Sequence, residues 1–163
     1  MKKIQVTLPK MTVSEPEILM RGTNKDGEEI AVNRKYFTLN GKPWFPITGE
    51  FHFSRYPCEY WREELQKIKA GGLDTVATYV FWIHHEEIEG QFRWDGRYNL
   101  KHFITLCKEE GLKVILRIGP WDHGEVRNGG YPDWLFEKKK HPAPTTLCIL
   151  NMSKGFMPRY TIR

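Results

Sequence analysis

The sequence predicts an α/β fold in which parallel strands are joined by helices. Strand-like and helix-like segments alternate through the middle of the chain, and the strand-like segments are almost continuously apolar, as in parallel strands covered on both faces. The pattern also repeats, because Gly72-Leu73 and Gly111-Leu112 each end a helix and lead into a strand. Such alternation specifies parallel strands linked by right-handed crossovers.

β structure is expected before this region, over residues 17–47. Asn40-Gly41 lies between the strand-like segments 36–39 and 43–45. Asn-Gly is a strong signal for a two-residue hairpin, because both positions of the tight turn take positive φ. We therefore predict a β-hairpin at this point.

The α/β region is predicted to contain three strands and two helices. The strands cover residues 45–51, 75–81 and 114–118. The first helix begins at Pro57 and stops at Gly71, and the second covers residues 100–110. The apolar faces of the two helices comprise Trp61, Leu65 and Ile68 in the first, and Leu100, Phe103, Ile104 and Cys107 in the second.

The repeated unit has the length of one strand and helix of a (β/α) barrel. A complete barrel takes about 250 residues, whereas this chain has 163 residues and room for about three such units. We therefore predict a partial (β/α)8 TIM barrel preceded by a β-hairpin. The expected domains are an N-terminal extension over residues 1–35, the barrel part over 36–137 and a basic tail over 138–163.

The positive charge of the chain is concentrated in that tail. The net charge is +5, but all 20 acidic residues lie at or before Glu137, so residues 1–137 carry a charge of −1. A neutral body argues against nucleic acid as a partner. We expect the tail to be poorly ordered. The loss of acidic residues and of periodicity predicts that residues 141–163 contribute nothing to a site and arose from a reading-frame shift or a mispredicted gene end.

Cysteine usage and hydropathy give few further features. Cys58, Cys107 and Cys148 are too widely spaced for a disulfide framework or a metal motif, and Cys107 is expected in the core. The N-terminus lacks the apolar segment of a signal peptide, and no apolar run is long enough to span a membrane. A cytoplasmic location is expected for the chain as written, and a secreted or periplasmic one if the natural N-terminus differs.

Polar and aromatic side chains cluster at the ends of the three predicted strands. The carboxyl ends of parallel strands meet at one edge of a sheet, where α/β proteins bind ligands. Aromatic rings beside charged groups suit a sugar, whose apolar face packs on a ring while its hydroxyls form hydrogen bonds. Alternatively, some of these rings only fill the barrel top. The candidate site-lining residues are Glu50, His52, Arg55, Tyr79, Trp82, His84, His85, Glu86, Trp121, Asp122, His123 and Glu125.

Three other kinds of site are disfavoured. The histidines lack the helical spacing of a zinc protease, and no serine occupies a G-x-S-x-G turn. Gly129-Gly130 is followed by Tyr131-Pro132 rather than by the Lys-Ser or Lys-Thr of a phosphate loop. The residues themselves therefore disfavour a metal site, a serine nucleophile and a phosphate-binding loop.

Four segments of the chain resemble glycoside hydrolase family 35, the retaining β-galactosidases. They cover residues 49–55, 71–82, 85–92 and 116–135, in the order of the family. The resemblance implies a (β/α)8 catalytic barrel that removes terminal β-galactose from glycosides without a cofactor. It also implies that Tyr79 corresponds to a sugar-contacting tyrosine. Gly124 and Glu125 occupy the place of an Ala-Glu pair that binds galactose hydroxyls.

The chain departs from the family pattern at positions that line the site. Ile83 stands where many members have Asn, Glu87 where they have Pro, and residues 122–124 where they have an apolar-Cys-Ala run. A different terminal sugar is therefore an open alternative.

The resemblance also predicts which catalytic groups this chain lacks. Retaining glycosidases use two carboxyl groups, and in this family the acid/base glutamate follows an Asn on the fourth strand. The chain contains no Asn-Glu dipeptide. We therefore expect part of an exo-glycosidase that is inactive alone and holds no catalytic residue, with a non-catalytic carbohydrate-binding module as the alternative.

Overall fold

The computed structural model describes residues 20–137. These residues form two compact units, which divide between Phe45 and Pro46. The predicted tail over 138–163, and with it the prediction of poor order, lies outside the described residues.

The first unit is a four-stranded antiparallel sheet. Its strands pair in chain order, and they are β1 (Met20–Thr23), β2 (Glu29–Val32), β3 (Phe37–Leu39) and β4 (Lys42–Trp44). Asn40 and Gly41 connect β3 to β4 with φ of +51° and +73°, the positive values that the predicted turn requires. The hairpin also pairs with β2, so the first compact unit extends to Phe45.

The second unit contains a parallel sheet covered by helices. Strands β5 (Thr48–Glu50), β6 (Thr75–Val80) and β7 (Lys113–Ile118) lie side by side in chain order. The helices are α1 (Trp61–Ala70), the short α2 (Trp82–His85), α3 (Leu100–Glu109) and the short α4 (Asp133–Glu137). Helix α1 lies between β5 and β6 in the chain, and α3 lies between β6 and β7, which confirms the α/β class.

The core lies between the two long helices and one face of this sheet. Val76 and Val80 of β6 pack with Trp61 of α1 and Phe103 of α3 in one buried cluster. Because side chains alternate along a strand, Ala77 and Tyr79 lie on the opposite face. Cys107 is fully buried in the same cluster, as predicted, and burial raises the pKa of its thiol to about 12. This thiol is therefore a packing group and a poor nucleophile.

A glycine turn ends each long helix, and in α1 the residue with positive φ lies one position after the predicted stop at Gly71. Gly71 follows α1 but keeps a right-handed φ of −71°, and Gly72 takes the left-handed value of +87°. Gly111 follows α3 with φ of +68°. Positive φ at these positions is accessible to glycine without strain, which explains the repeated Gly-Leu pair.

Strand β7 is less buried than the sequence predicts. Its residues are half-buried, and Ile115 is 44% exposed. In the described chain β7 has a neighbour on one side only, whereas β6 lies between two strands and is buried at every position.

Within residues 20–137, no helix has the length and apolar character needed to cross a bilayer.

Candidate functional site

The segments that follow β5, β6 and β7 form one connected surface. We call them the carboxyl-edge loops and define them as residues 51–60, 81–99 and 119–132. Ser54 Oγ lies 2.9 Å from Nδ1 of His84, and this contact joins the first loop to the second. The guanidinium of Arg55 donates to the carbonyl of Gly124, which joins the first loop to the third. The candidate residues from three strands are therefore brought to one edge of the sheet.

An ionic cluster lies on the sheet face opposite the helices. It comprises Glu50, His52 and Arg117, beside the ring of Tyr79. The guanidinium of Arg117 contacts the carboxylate of Glu50, and its central carbon lies 3.7 Å from the centre of the Tyr79 ring. The side chains of Arg117 and Glu50 remain 34% and 47% exposed. They are thus charged groups that a ligand at this edge can reach.

His52 takes part in this cluster as a neutral ring. Its Nε2 lies 3.2 Å from Oε1 of Glu50. Burial lowers the pKa of His52 below its ordinary value of 6.5, and this effect exceeds the opposing attraction of Glu50. At neutral pH we therefore assign the proton to Nε2, from which it is donated to the carboxylate.

The Gly124-Glu125 pair is held against two aromatic rings. A Cβ atom on Gly124 would lie 2.6 Å from ring carbons of Phe81 and 2.8 Å from Cδ2 of Tyr79, closer than carbon atoms approach. Arg55 lies over Phe81, 4.8 Å from the ring centre, while it donates to the Gly124 carbonyl. Glu125 follows with φ of +49° and an exposed side chain. The loop thus presents the Glu125 carboxylate to solvent from a fixed backbone position.

Asp122 is a buried carboxyl group beneath the same loop. It is 3% exposed, and its Oδ2 accepts no hydrogen bond from the described residues. Burial raises its pKa from 3.8 to about 7, although the charge of Arg117 opposes the shift. The group is therefore largely protonated below neutral pH.

We expect Asp122 to make the stability of the fold depend on pH. The folded chain holds the Asp122 proton more tightly than the unfolded chain, so this contribution is complete below about pH 4 and is lost as the pH rises through about 7. The free energy of unfolding of the wild type should therefore fall relative to that of Asp122→Asn between pH 4 and pH 8. Urea unfolding of both chains at several pH values measures this difference, and a pH-independent difference would contradict the assignment.

The contact between Ser54 and His84 does not form a nucleophilic pair. Ser54 is 2% exposed, and burial with the nearby charge of Arg55 lowers the pKa of His84 to about 4. Such a weak base cannot activate a hydroxyl group at neutral pH.

Among residues 20–137, no group of three His, Cys, Asp or Glu side chains is arranged to hold a metal ion.

Trp82 and its neighbours in the second loop are core residues. Trp82 is 1% exposed, and its Nε1 donates to Oε2 of Glu86 at 2.6 Å. His85 is fully buried and stacks on Trp94 with ring centres 4.2 Å apart. The burial of Trp82 contradicts the prediction that this residue lines the site. Helix α2 turns the Trp82 ring inward, where it packs with Leu135.

The other predicted residues of the third loop lie at the surface. Trp121 is 54% exposed, and His123 lies edge-on to it with ring centres 5.9 Å apart.

Two residues of the site were not predicted from the sequence. The sequence predicts Phe81 only as a strand residue, although it supports Gly124. Arg117 is absent from the sequence-based candidates, although it is the one charged residue in the otherwise apolar run 114–118 and lies one position before the strand ends. A charge in a strand of this kind is the signal that could have identified it, because it places an unusual group at the ligand-binding edge.

Comparison with known proteins identifies a single family for most of the chain. The family model for glycosyl hydrolases family 35 matches residues 36–146. A beta-galactosidase of Macaca fascicularis is 40% identical over 120 residues, which cover 74% of this chain and 18% of the relative. A beta-galactosidase of Xanthomonas manihotis is 46% identical over 102 residues, which cover 63% of this chain and 17% of the relative.

A third relative carries a different activity in its name. A beta-1,2-glucosyltransferase of Ignavibacterium album is 44% identical over 110 residues, which cover 65% of this chain and 15% of the relative. The chain thus spans less than a fifth of the length of each of these three relatives.

Proposed function

Because the chain belongs to glycosyl hydrolases family 35, we propose that residues 36–137 form the N-terminal part of a (β/α)8 catalytic domain, in which the β3–β4 hairpin precedes the first three strand–helix units. The proposed enzyme is a retaining exo-glycosidase that removes terminal β-galactosyl residues from glycosides without a cofactor. Two of the three relatives are named beta-galactosidases, which supports a β-galactoside as the substrate. The name of the beta-1,2-glucosyltransferase supports a β-glucoside as the related alternative.

The convergence of Glu125 with the ionic cluster is the observation that carries this proposal. The charge of Glu125 acts on the His52 ring, although burial has the larger effect and lowers the pKa of that ring, and Gly124 lies against the Tyr79 ring. The site thus combines carboxylates that accept hydrogen bonds, a guanidinium that donates them and an aromatic ring. One face of the Tyr79 ring is covered by Arg117, so we propose that Tyr79 contacts the sugar through its edge or hydroxyl. This combination suits the hydroxyl groups of a single pyranose.

We propose that Glu125 binds the sugar and does not react with it. A retaining glycosidase needs an acid/base and a nucleophilic carboxyl group about 5–5.5 Å apart. We place both of these groups in a part of the catalytic domain outside residues 36–137. The chain alone is accordingly proposed to be inactive.

A chimeric enzyme tests this function directly. Residues 36–137 would replace the matching segment of the Xanthomonas beta-galactosidase, which is 46% identical. The chimera is expected to hydrolyse an aryl β-galactoside, whereas the 163-residue chain is expected to show no turnover. Clear turnover by the isolated chain, or a folded chimera that hydrolyses no β-glycoside, would contradict the proposal.

A non-catalytic carbohydrate-binding module is the second candidate. It is favoured by the location of Glu50, Tyr79, Arg117 and Glu125 in one compact unit. The module would bind galactose as a stable monomer, and its segment would give an inactive chimera. An active chimera supports the enzyme, whereas an inactive chimera, together with galactose binding by the chain in titration calorimetry, supports the module.

Arg55 is expected to matter because it holds the loop that carries Glu125. In the chimera, Arg55→Met removes the hydrogen bond to the Gly124 carbonyl, and we expect a rise in KM of about 5-fold, or about 1 kcal/mol, with kcat little changed. Arg97→Met is the matched control, because Arg97 also lies over a ring, that of Tyr98 at 5.2 Å, without contacting this loop in the described chain. An equal rise in both variants would show that Arg55 has no special positioning role.

A further inference from the structure

The third carboxyl-edge loop carries an exposed and rigidly held aromatic ring. Trp121 is 54% exposed, whereas the other tryptophans in the described chain are buried or half-buried. It lies three residues after the end of β7 and four residues before Glu125, in the same loop. An exposed tryptophan at a ligand-binding edge, with no role in the core, needs a separate explanation.

The backbone of Gly129 supports one side of this ring. A Cβ atom on Gly129 would lie 2.1 Å from Cζ3 and 2.3 Å from Cε3 of Trp121, so the glycine lies directly against the six-membered ring. Gly129 has φ of +60°, and its carbonyl accepts a hydrogen bond from the Asp122 amide at 2.8 Å. Any side chain at residue 129 would displace the tryptophan.

Asp133 holds the segment that contains this glycine. One carboxylate oxygen accepts from Nδ2 of Asn128 at 2.8 Å, and the other contacts the guanidinium of Arg127. Asn128 itself has φ of +57° and Gly130 has φ of +88°, so this carboxylate holds the start of a run of three successive residues with positive φ. The rings of His123 and Tyr131 flank Trp121 at 5.9 and 6.1 Å. The ring is therefore oriented before any ligand binds, which lowers the entropic cost of binding.

We propose that Trp121 forms a second sugar-binding subsite, which stacks on the unit linked to the terminal sugar. This inference rests on the proposed function, because it assumes that Glu125 binds the terminal residue. A tryptophan ring packs well against the C–H face of a pyranose or against an aryl group. The ligand class is therefore a β-linked disaccharide or an aryl glycoside, and a monosaccharide at Glu125 would not contact Trp121.

Fluorine NMR of the full chain labelled with 5-fluorotryptophan tests this subsite. The chain contains six tryptophans, and the Trp121 resonance is identified by its absence in Trp121→Phe. The probes are galactose and the β-linked disaccharide lactose. We expect lactose to shift the Trp121 resonance and to bind about 5- to 10-fold more tightly than galactose. Galactose should bind without shifting that resonance.

The variants Trp121→Ala and Trp121→Phe complete the test. In Trp121→Ala the advantage of lactose should disappear while galactose affinity is unchanged, and Trp121→Phe, which keeps an aromatic ring, should keep part of the advantage. Phe45→Ala is the control, because Phe45 is an exposed aromatic residue, 84% exposed, in the other compact unit.

Three other results would each overturn the proposed subsite. Equal binding of both sugars to the wild type, with the Trp121 resonance unmoved, overturns the subsite and leaves the proposed function intact. A parallel loss of galactose and lactose affinity in Trp121→Ala places the ring in the terminal-sugar site and also overturns the subsite. Binding of neither sugar to the wild type overturns the subsite, and the chimera assay then decides the proposed function separately.

Discussion

Replacing Trp61 with alanine is expected to lower the free energy of unfolding by about 3–5 kcal/mol. Trp61 is fully buried at the start of α1. Its ring packs edge-on against Phe53 and Phe103, with ring centres 5.8 and 5.5 Å apart. Alanine would leave a large cavity between α1, α3 and the loop after β5. A loss of this size is a large part of the total stability of a small domain.

The indole nitrogen of Trp61 adds a second contribution. Nε1 lies 3.2 Å from the carbonyl oxygen of Phe53 and 3.1 Å from that of Tyr56, and it donates to both. These carbonyls belong to the first carboxyl-edge loop, so the same side chain that fills the core also holds a loop of the candidate site. Trp61→Phe keeps an aromatic ring but removes the donor, and it should lose less stability than Trp61→Ala.

Urea unfolding followed by circular dichroism measures these losses. Trp121→Ala is a matched control, because it removes the same side chain from an exposed position and should change the free energy of unfolding by about 0.5 kcal/mol or less. Similar losses in Trp61→Ala and Trp121→Ala would contradict the assignment of Trp61 to the core.

Replacing Glu125 with glutamine is expected to weaken sugar binding by about 1.5–3 kcal/mol, or about 10- to 150-fold. The amide has the shape of the carboxylate but lacks its charge, so it accepts weaker hydrogen bonds from sugar hydroxyls. The side chain is exposed and its backbone is held at φ of +49°, so the substitution should not disturb the fold. In the chimera with the Xanthomonas enzyme we expect the change in KM, with kcat affected much less.

The control for Glu125 is a carboxylate of helix α1, outside the carboxyl-edge loops. Glu63 is exposed, and Nζ of Lys67 lies 2.8 Å from its carboxylate. Glu63→Gln should leave both kinetic parameters within about 2-fold, because exposed ion pairs of this kind contribute little. If Glu125→Gln kept normal sugar affinity and abolished turnover, Glu125 would be a catalytic residue and the assignment to binding would be wrong.

The sequence by itself determined the elements of the fold, because their signals are local. The Asn40-Gly41 turn depends on the φ preferences of two adjacent residues, and it produces the hairpin between β3 and β4. The apolar spacing in α1 and α3 and the glycine that follows each helix act over a few residues. The order of strands and helices then restricted the sheet to a parallel one.

Only the tertiary structure decided which side chains meet at the site. Arg117 of β7 reaches Glu50 of β5 across the middle strand β6, over the Tyr79 ring of that strand. Trp82 and Trp121 both follow a strand in the repeated pattern, yet the first is 1% exposed and the second 54%. Such contacts join residues far apart in the chain, and they depend on strand register, on sheet neighbours and on the direction in which each loop turns. Local preferences carry no information about these distances, so burial and charge pairing are settled when the elements pack.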